Sequence, residues 1–362
     1  MLRADSAPMP SASDNHHLLP AQYLDRTLQC FMTIAANGVT SSHNLSLADR
    51  TLRLEVSKGA MEKALIPALA HLVEPSNAEP DLTIYAWDSA GTGTPPISPG
   101  WSGEQYQRDG LISGFNDARF HTAVQHDPLV VRMFDLERKV GLYWTLSATR
   151  IPVSDLGAPM RPMLHEWLSR IGFLAVHGGA VGFEDGGVFL AGVGGRGKSN
   201  IALACLRSNM RYASDDFCFL TRTQSGWSAN SLFCSGKIAA SDLIRHPHLT
   251  DMAVNPNPHA GEKALFLLNQ SFAERLIRSI PLKAIVLPRV IGFGPSSILP
   301  LKPAIAYREI TISTLQMSRQ TGRDSMPQVS ELVQSLPCYE IQVGGTIADV
   351  PPLLTQLLRS LH

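Results

Sequence analysis

Apolar positions in the first part of the chain come in short runs separated by turn-rich stretches. Between Leu24 and Val153, alternating or clustered apolar residues recur at Thr51–Val56, Leu82–Trp87, Leu129–Phe134 and Val140–Leu146, the pattern of strands bounded by turns. The strongest turn signal among them is Gly91–Gly100, with Pro95, Pro96 and Pro99. One helical segment, Ala60 to Val73, interrupts the strands. The pattern predicts a disordered tail over residues 1–22, rich in Ser, Pro and Ala, and a mixed, mostly β N-terminal domain over 23–155. Trp87, Trp101, Tyr143 and Trp144 in that domain either line a peptide groove or fill the core, and aromatics on strands more often do the second.

A different rhythm starts near residue 156. Leu164, Trp167, Leu168 and Ile171 fall at i, i+3, i+4 and i+7 behind Pro162, and Gly172 is placed to end that helix. Phe173–Val176 then leads into His177. Further on, Gly187–Ala191 is an apolar run bounded by glycines, and Ile201, Leu203, Ala204, Cys205 and Leu206 make a compact apolar helix opening. Phe217–Leu220 and Leu282–Arg289 are apolar strand patterns, and Gly226-Trp227 marks a turn between them. A helix from about Gln328 to Leu336, a strand at Tyr339–Val343 and an amphipathic helix from Asp349 close the chain, with Leu353, Leu354, Leu357, Leu358 and Leu361 on the apolar side of the last. An α/β domain over residues 156–362 is the expectation.

The link between the Gly187–Ala191 strand and the following helix carries the chemistry. Gly192, Val193, Gly194, Gly195, Arg196, Gly197, Lys198 and Ser199 satisfy G-x-x-x-x-G-K-[ST], with Asn200 next in the helix. Glycines free the backbone to turn N–H groups toward one point, and a helix N-terminus adds partial positive charge, so an anion belongs there. Lys198 is placed to reach terminal phosphates and the Ser199 hydroxyl to ligate a bridging magnesium. The same residues also satisfy G-x-G-x-x-G of dinucleotide-binding folds. Against that reading, a Lys-Ser pair has no use in a pyrophosphate turn, and Asp215-Asp216 precede the apolar run Phe217–Leu220 instead of closing a strand.

Seventeen residues beyond Lys198 stands Ser214-Asp215-Asp216, and twenty-one before it His177-Gly178-Gly179. An Asp pair is often a turn or cap and a lone histidine is often structural; their spacing from the glycine loop favours a site. Two adjacent carboxylates near a divalent ion can divide the work, one holding metal and one taking a proton.

His-Gly, strand, G-x-x-x-x-G-K-S, helix and Asp-Asp, in this order and spacing, resemble the catalytic core of HPr kinase/phosphorylase, and in particular its relatives encoded beside ribosomal peptides, such as the lasso-peptide tailoring kinases. The resemblance covers roughly residues 160 to 222. It implies an α/β fold, a phosphate-loop nucleotide-binding domain of the phosphoenolpyruvate-carboxykinase-like/HPr kinase type. It implies an ATP- and Mg2+-dependent kinase acting on a serine hydroxyl of a peptide or small protein, with self-association allowed. Asp215 then matches the carboxylate that takes the proton from the acceptor serine, Asp216 the neighbouring carboxylate near the metal, and His177 the histidine beside that base. Lys263, in a Gly-x-Lys that opens an apolar strand, resembles a basic residue that relatives bring toward the phosphates; an exposed strand-opening lysine is the other reading. The sequence departs from HPr kinases proper at Trp227–Ile238, which lacks their Arg-Gly-Leu-Gly-Ile-like core. A small-molecule hydroxyl kinase and a non-catalytic nucleotide-binding module remain as alternatives, as do GTP and pyrophosphate as donors.

Composition narrows the partners. Lys plus Arg and Asp plus Glu both total 31, which leaves no basic excess for nucleic acid or an anionic membrane surface. No run of about 18 apolar residues and no signal-peptide core occur, so the expected location is the cytoplasm. The five cysteines are scattered without C-x-x-C spacing, which points to reduced thiols instead of zinc or disulfides. His246-Pro247-His248 and His259, among prolines, suit a surface loop more than a metal site. Arg289 and Arg308 are further basic residues that could reach the phosphates.

Overall fold

Alternating apolar positions become strands of several mixed sheets, and the fold is α/β. The computed structural model describes residues 18–259, 261–317 and 325–361. Two compact units divide the chain: residues 18–44, 51–64 and 76–151 in the first, and 45–50, 65–75 and Pro152 onward in the second. The boundary at 151/152 falls four residues before the expected one, and the first unit is discontinuous in sequence.

Strands β1 (Thr40–Leu47), β2 (Arg50–Ser57), β3 (Leu82–Asp88), β4 (Phe120–His126), β5 (Leu129–Asp135) and β6 (Val140–Thr145), of the first unit but for residues 45–47 and Arg50, form one sheet in the order β1-β2-β3-β6-β5-β4. Strands β2, β3 and β6 run parallel; β5 is antiparallel to both β6 and β4. Helix α1 (Pro20–Ala36) opens with proline at its first turn, where a missing N–H costs nothing. It begins inside the segment expected to be tail; residues 1–17, with His16 and His17, lie outside the described residues. Its apolar face of Tyr23, Leu24, Leu28, Phe31 and Ile34 shares a core with Trp87, Trp101 and Trp144. Those three and Tyr143 are buried, so they fill the core and line no groove. The helix expected over Ala60–Val73 is split into α2 (Ala60–Leu65) and a 3-10 turn, Pro67–Leu72, because Pro67 cannot continue the α-helical hydrogen bonds.

The second unit is built on β7 (Leu174–Val176), β8 (Gly179–Phe183), β9 (Gly186–Leu190), β10 (Arg211–Ser214), β11 (Cys218–Thr223), β12 (Gly226–Ser231), β15 (Ser279–Val290), β16 (Ser297–Pro300) and β17 (Cys338–Val343), with β13 (Ser235–Ala239) and β14 (Lys263–Leu267) as a separate ribbon. Its helices are α3 (Arg161–Arg170), α4 (Lys198–Cys205), α5 (Pro303–Met317), α6 (Met326–Ser335) and α7 (Val350–Ser360). Period-two alternation sorts each strand between two cores. Val188 and Leu190 of β9 point with Ile201 and Leu203 of α4 and Leu354 and Leu357 of α7. Phe189 and Ala191 point with Ala306 and Ile310 of α5 and Leu332 of α6. Helices therefore cover both faces of the sheet. Along β15 the alternation changes phase: Ile280 and Leu282 lie with the α5 core, Ala284 and Val286 with the α4 core. The register shift between Leu282 and Ala284 is a bulge that makes this change.

Candidate functional site

Strand pairing decides which loops meet. The segments 174–183 and 211–220 run as one antiparallel ribbon, with Val176 opposite Cys218 in β7–β11 and Ala180 opposite Ser214 in β8–β10. Between the two ladders, His177-Gly178 lies across from Asp215-Asp216. Because β8 is antiparallel to β9, that break stands at the carboxyl end of β9, where residues 191–197 begin. Strand β15 is parallel to β9, and β17 to β15, so their following loops reach the same edge. The carboxyl edge of parallel strands is where α/β sheets bind ligands.

Close packing demands glycine here. A Cβ on Gly178 would meet the Phe189 ring at 2.4 Å and the Leu190 carbonyl oxygen at 2.8 Å; only glycine lets His177 approach the end of β9.

The loop itself turns on Gly192, Gly195 and Gly197, whose φ values are 125°, 82° and 93°, in the region that penalises side chains. Gly197 caps α4, and Lys198 and Ser199 are its first two residues. Lys198 is 5% exposed, and its ammonium donates to the carbonyls of Gly192 (2.6 Å) and Val193 (3.2 Å). Burial lowers its pKa, while Asp215 and Asp216 oppose that shift. Arg196 donates to Glu309 of α5 at 2.8 Å, and the Val193 N–H points to the other oxygen of the same carboxylate at 3.5 Å. Glu309 is 4% exposed. One buried carboxylate thus ties the loop to α5.

Two neighbouring carboxyls have opposite character. Asp215 is 4% exposed; burial and then the negative charge of Asp216 push its pKa up, and the Ser199 hydroxyl works against that shift. Its Oδ2 accepts the Lys237 N–H at 3.4 Å, and Oδ1 is buried without a hydrogen-bond partner. Asp216, at φ 71°, meets His177 at 2.7 Å between Oδ1 and Nε2. Burial alone would raise Asp216, but the His177 hydrogen bond and the charges of His177, Lys263 and Lys237 outweigh it, and the pKa falls. An ionised carboxylate only accepts, so this contact requires the His177 proton on Nε2.

Lys263 opens β14 and is exposed, and its charge acts on both aspartates. Lys237, on the partner strand of the same ribbon, acts on Asp216 as well. Its ammonium donates to the Ser154 carbonyl at 2.6 Å, and burial lowers its pKa. Lys237 belongs to no motif in the sequence and stands in the mixed segment Phe233–Ile238. Arg161 and His165 carry no motif either: the Arg161 guanidinium lies 4.6 Å from the centre of the Phe217 ring, and His165 packs edge-on to the same ring at 5.5 Å. His177 stacks on Phe217 at 5.9 Å. Phe217 is the shared wall behind the acid pair.

Some expected residues turn elsewhere. The Asn200 amide donates to Asp242 and its oxygen pairs with His246, so its side chain is engaged away from the loop. His246 is buried, not on a surface loop, and packs against His248 at 5.9 Å. Arg289 pairs with Glu340 and Arg308 with Glu309. Four of the cysteines are buried and Cys30 is half-buried, all free.

Among the described residues no group of three or more His, Cys, Asp or Glu side chains is placed to hold a metal. A divalent ion at the loop would take oxygen ligands from Ser199, a carboxylate and a nucleotide's own phosphates, the small protein share that Mg2+ prefers. The oxygen donors of Ser199 and Asp216 fit that ion, and the buried Asp215 Oδ1, without a hydrogen-bond partner, is left to take a proton. Among the described residues no helix is long and apolar enough to cross a membrane.

The chain matches no protein-family model and no curated protein sequence. Among solved structures it is similar to the Hpr(Ser) kinase/phosphatase from Coxiella burnetii, at 10% identity and a TM-score of 0.29, over 51% of this chain and 94% of that one. Residue roles here therefore stand on the chain's own geometry.

Proposed function

We propose that the chain is an ATP- and Mg2+-dependent kinase that transfers the γ-phosphate to a serine hydroxyl of a peptide or small protein, with tailoring of a ribosomally made, lasso-type peptide as the finer reading. One observation carries the reading: the ribbon break with His177 and Asp215-Asp216 stands at the carboxyl end of β9, where the glycine loop begins. The acceptor class comes from the sequence resemblance.

Loop N–H groups of residues 192–197 and the α4 terminus hold the triphosphate, and Lys198 exchanges the Gly192 and Val193 carbonyls for phosphate oxygens. Asp215, buried and with a raised pKa, accepts the hydroxyl proton as the new P–O bond forms and the bond to ADP breaks. His177 keeps Asp216 ionised. Ser199 and Asp216 would hold the magnesium ion, which would neutralise phosphate charge when bound. Lys237 and Lys263 add positive charge around the acid pair, and most of the catalysis is positioning and charge.

The test is mass spectrometry of serine peptides, including any precursor peptide encoded beside the gene, after incubation with the protein, ATP and Mg2+. The expected result is one added phosphate on serine that is lost with Lys198→Ala. Unmodified peptides, small hydroxyl compounds and proteins alike, with ATP still bound, would move the assignment to a binding module.

A further inference from the structure

The loop after β15 exposes an aromatic ring at the sheet edge already occupied by the phosphate loop. Phe293 is 75% exposed and Val290 is 45% exposed. Val290 touches the phosphate loop, since a Cβ on Gly197 would stand 3.2 Å from its Cγ2. Two residues, Ile291 and Gly292, separate Val290 from Phe293, a reach of at most about 11 Å.

An isolated exposed apolar residue is ordinary, and a mobile tip would explain it. This loop is pinned instead. The N–H groups of Ile291 and Gly292 donate to the Val343 carbonyl, at 2.9 and 3.2 Å, and the Gly345 N–H donates to the Gly294 carbonyl at 3.1 Å. The Gly344 N–H donates to Ser296 Oγ at 3.0 Å. Gly292 and Gly294, at φ 75° and 68°, flank Phe293. The backbone thus holds an aromatic ring out toward solvent at a fixed place, where it forfeits burial unless something covers it.

We propose that Phe293, with Val290 beside it, is the platform on which the purine base of the bound nucleotide stacks. The proposal rests on the phosphate-loop reading. A nucleotide anchored by its phosphates at 192–199 lies at the carboxyl edge of the sheet, and the β15 loop is the neighbour on that edge. Stacking uses the π-face common to all bases, so the platform fixes affinity for a nucleoside over bare phosphate more than the choice between ATP and GTP.

Equilibrium binding of ATP and of inorganic tripolyphosphate, each with Mg2+, to the full chain tests it. Phe293→Ala is expected to weaken ATP binding about 10- to 100-fold and to leave tripolyphosphate binding unchanged; Phe293→Tyr keeps ATP affinity within about twofold. Lys198→Ala weakens both ligands. Undiminished ATP binding by Phe293→Ala overturns the platform while the loop reading stands, and a raised KM for an acceptor peptide in that variant would give the ring to the acceptor instead. Equal weakening of both ligands also overturns it, as the mark of a distorted loop. If Lys198→Ala binds tripolyphosphate as wild type does, the phosphate-loop reading fails and takes the platform with it.

Discussion

His177 Nε2 and Asp216 Oδ1 meet at 2.7 Å across 39 residues of sequence. The contact latches the break in the antiparallel ribbon and keeps Asp216 ionised. That fixed charge, after burial, is what lifts the pKa of Asp215. Adjacent carboxyls whose environments drive them apart are the arrangement in which one holds charge and the other moves a proton.

The raised Asp215 pKa is a stability statement. The Asp215 carboxyl has its pKa raised above the ordinary 3.8 and is more protonated in the native state, so stability falls as pH rises from that value through the folded pKa. Asp215→Asn removes that cost. In metal-free buffer the variant is expected to be more stable than wild type at pH 7 and closer to parity at pH 4. Thermal unfolding at both pH values checks the sign; equal stability at pH 7 would contradict it.

Lys237→Met keeps the aliphatic stem and removes the ammonium that anchors Ser154 and acts on Asp216. Phosphate transfer should fall about 10- to 100-fold, with ATP affinity nearly unchanged, if positive charge around the acid pair serves the reaction. Single-turnover rates beside binding constants separate the two.

Glu309→Ala deletes the carboxylate shared by Arg196 and the Val193 N–H. Loss of this anchor should cost about 1–3 kcal/mol of stability, discounted because Arg196 is one-third exposed. Glu309→Gln, which still accepts from Val193, should lose less. Denaturant unfolding of both variants orders them.

Gly178→Ala puts a methyl into the Phe189 ring and the Leu190 carbonyl. Overpacking of this kind costs about 1–3 kcal/mol, and it displaces His177 from Asp216. A loss in thermal stability together with reduced transfer is expected; a variant equal to wild type in both would remove the steric account of this glycine.

The glycine loop, His177 and the Asp pair were legible because each is a local motif whose spacing can be counted. Strands such as Leu82–Asp88 and Cys338–Val343 were legible from alternation. Helix α5 was not: Ile305, Ile310, Thr311, Ile312 and Thr314 are β-branched, and such residues are weak helix formers. Glu309 stayed hidden with it. Helix α1 lay partly in a segment whose composition suggested a tail, and its face becomes apolar only against the tryptophan core. Lys237 and Phe293 gain meaning from strand order, which sequence spacing does not carry. Asn200 shows the converse, a residue next to the motif whose side chain turns to Asp242 and His246.

The most direct measurement is single-turnover transfer of the γ-phosphate to a serine peptide by wild type and Asp215→Asn, with ATP binding measured on the same preparations. A single site made of loop and acid pair predicts ATP affinity kept within a few-fold and transfer reduced about 10²- to 10⁴-fold. Transfer that survives Asp215→Asn at the wild-type rate would contradict the account.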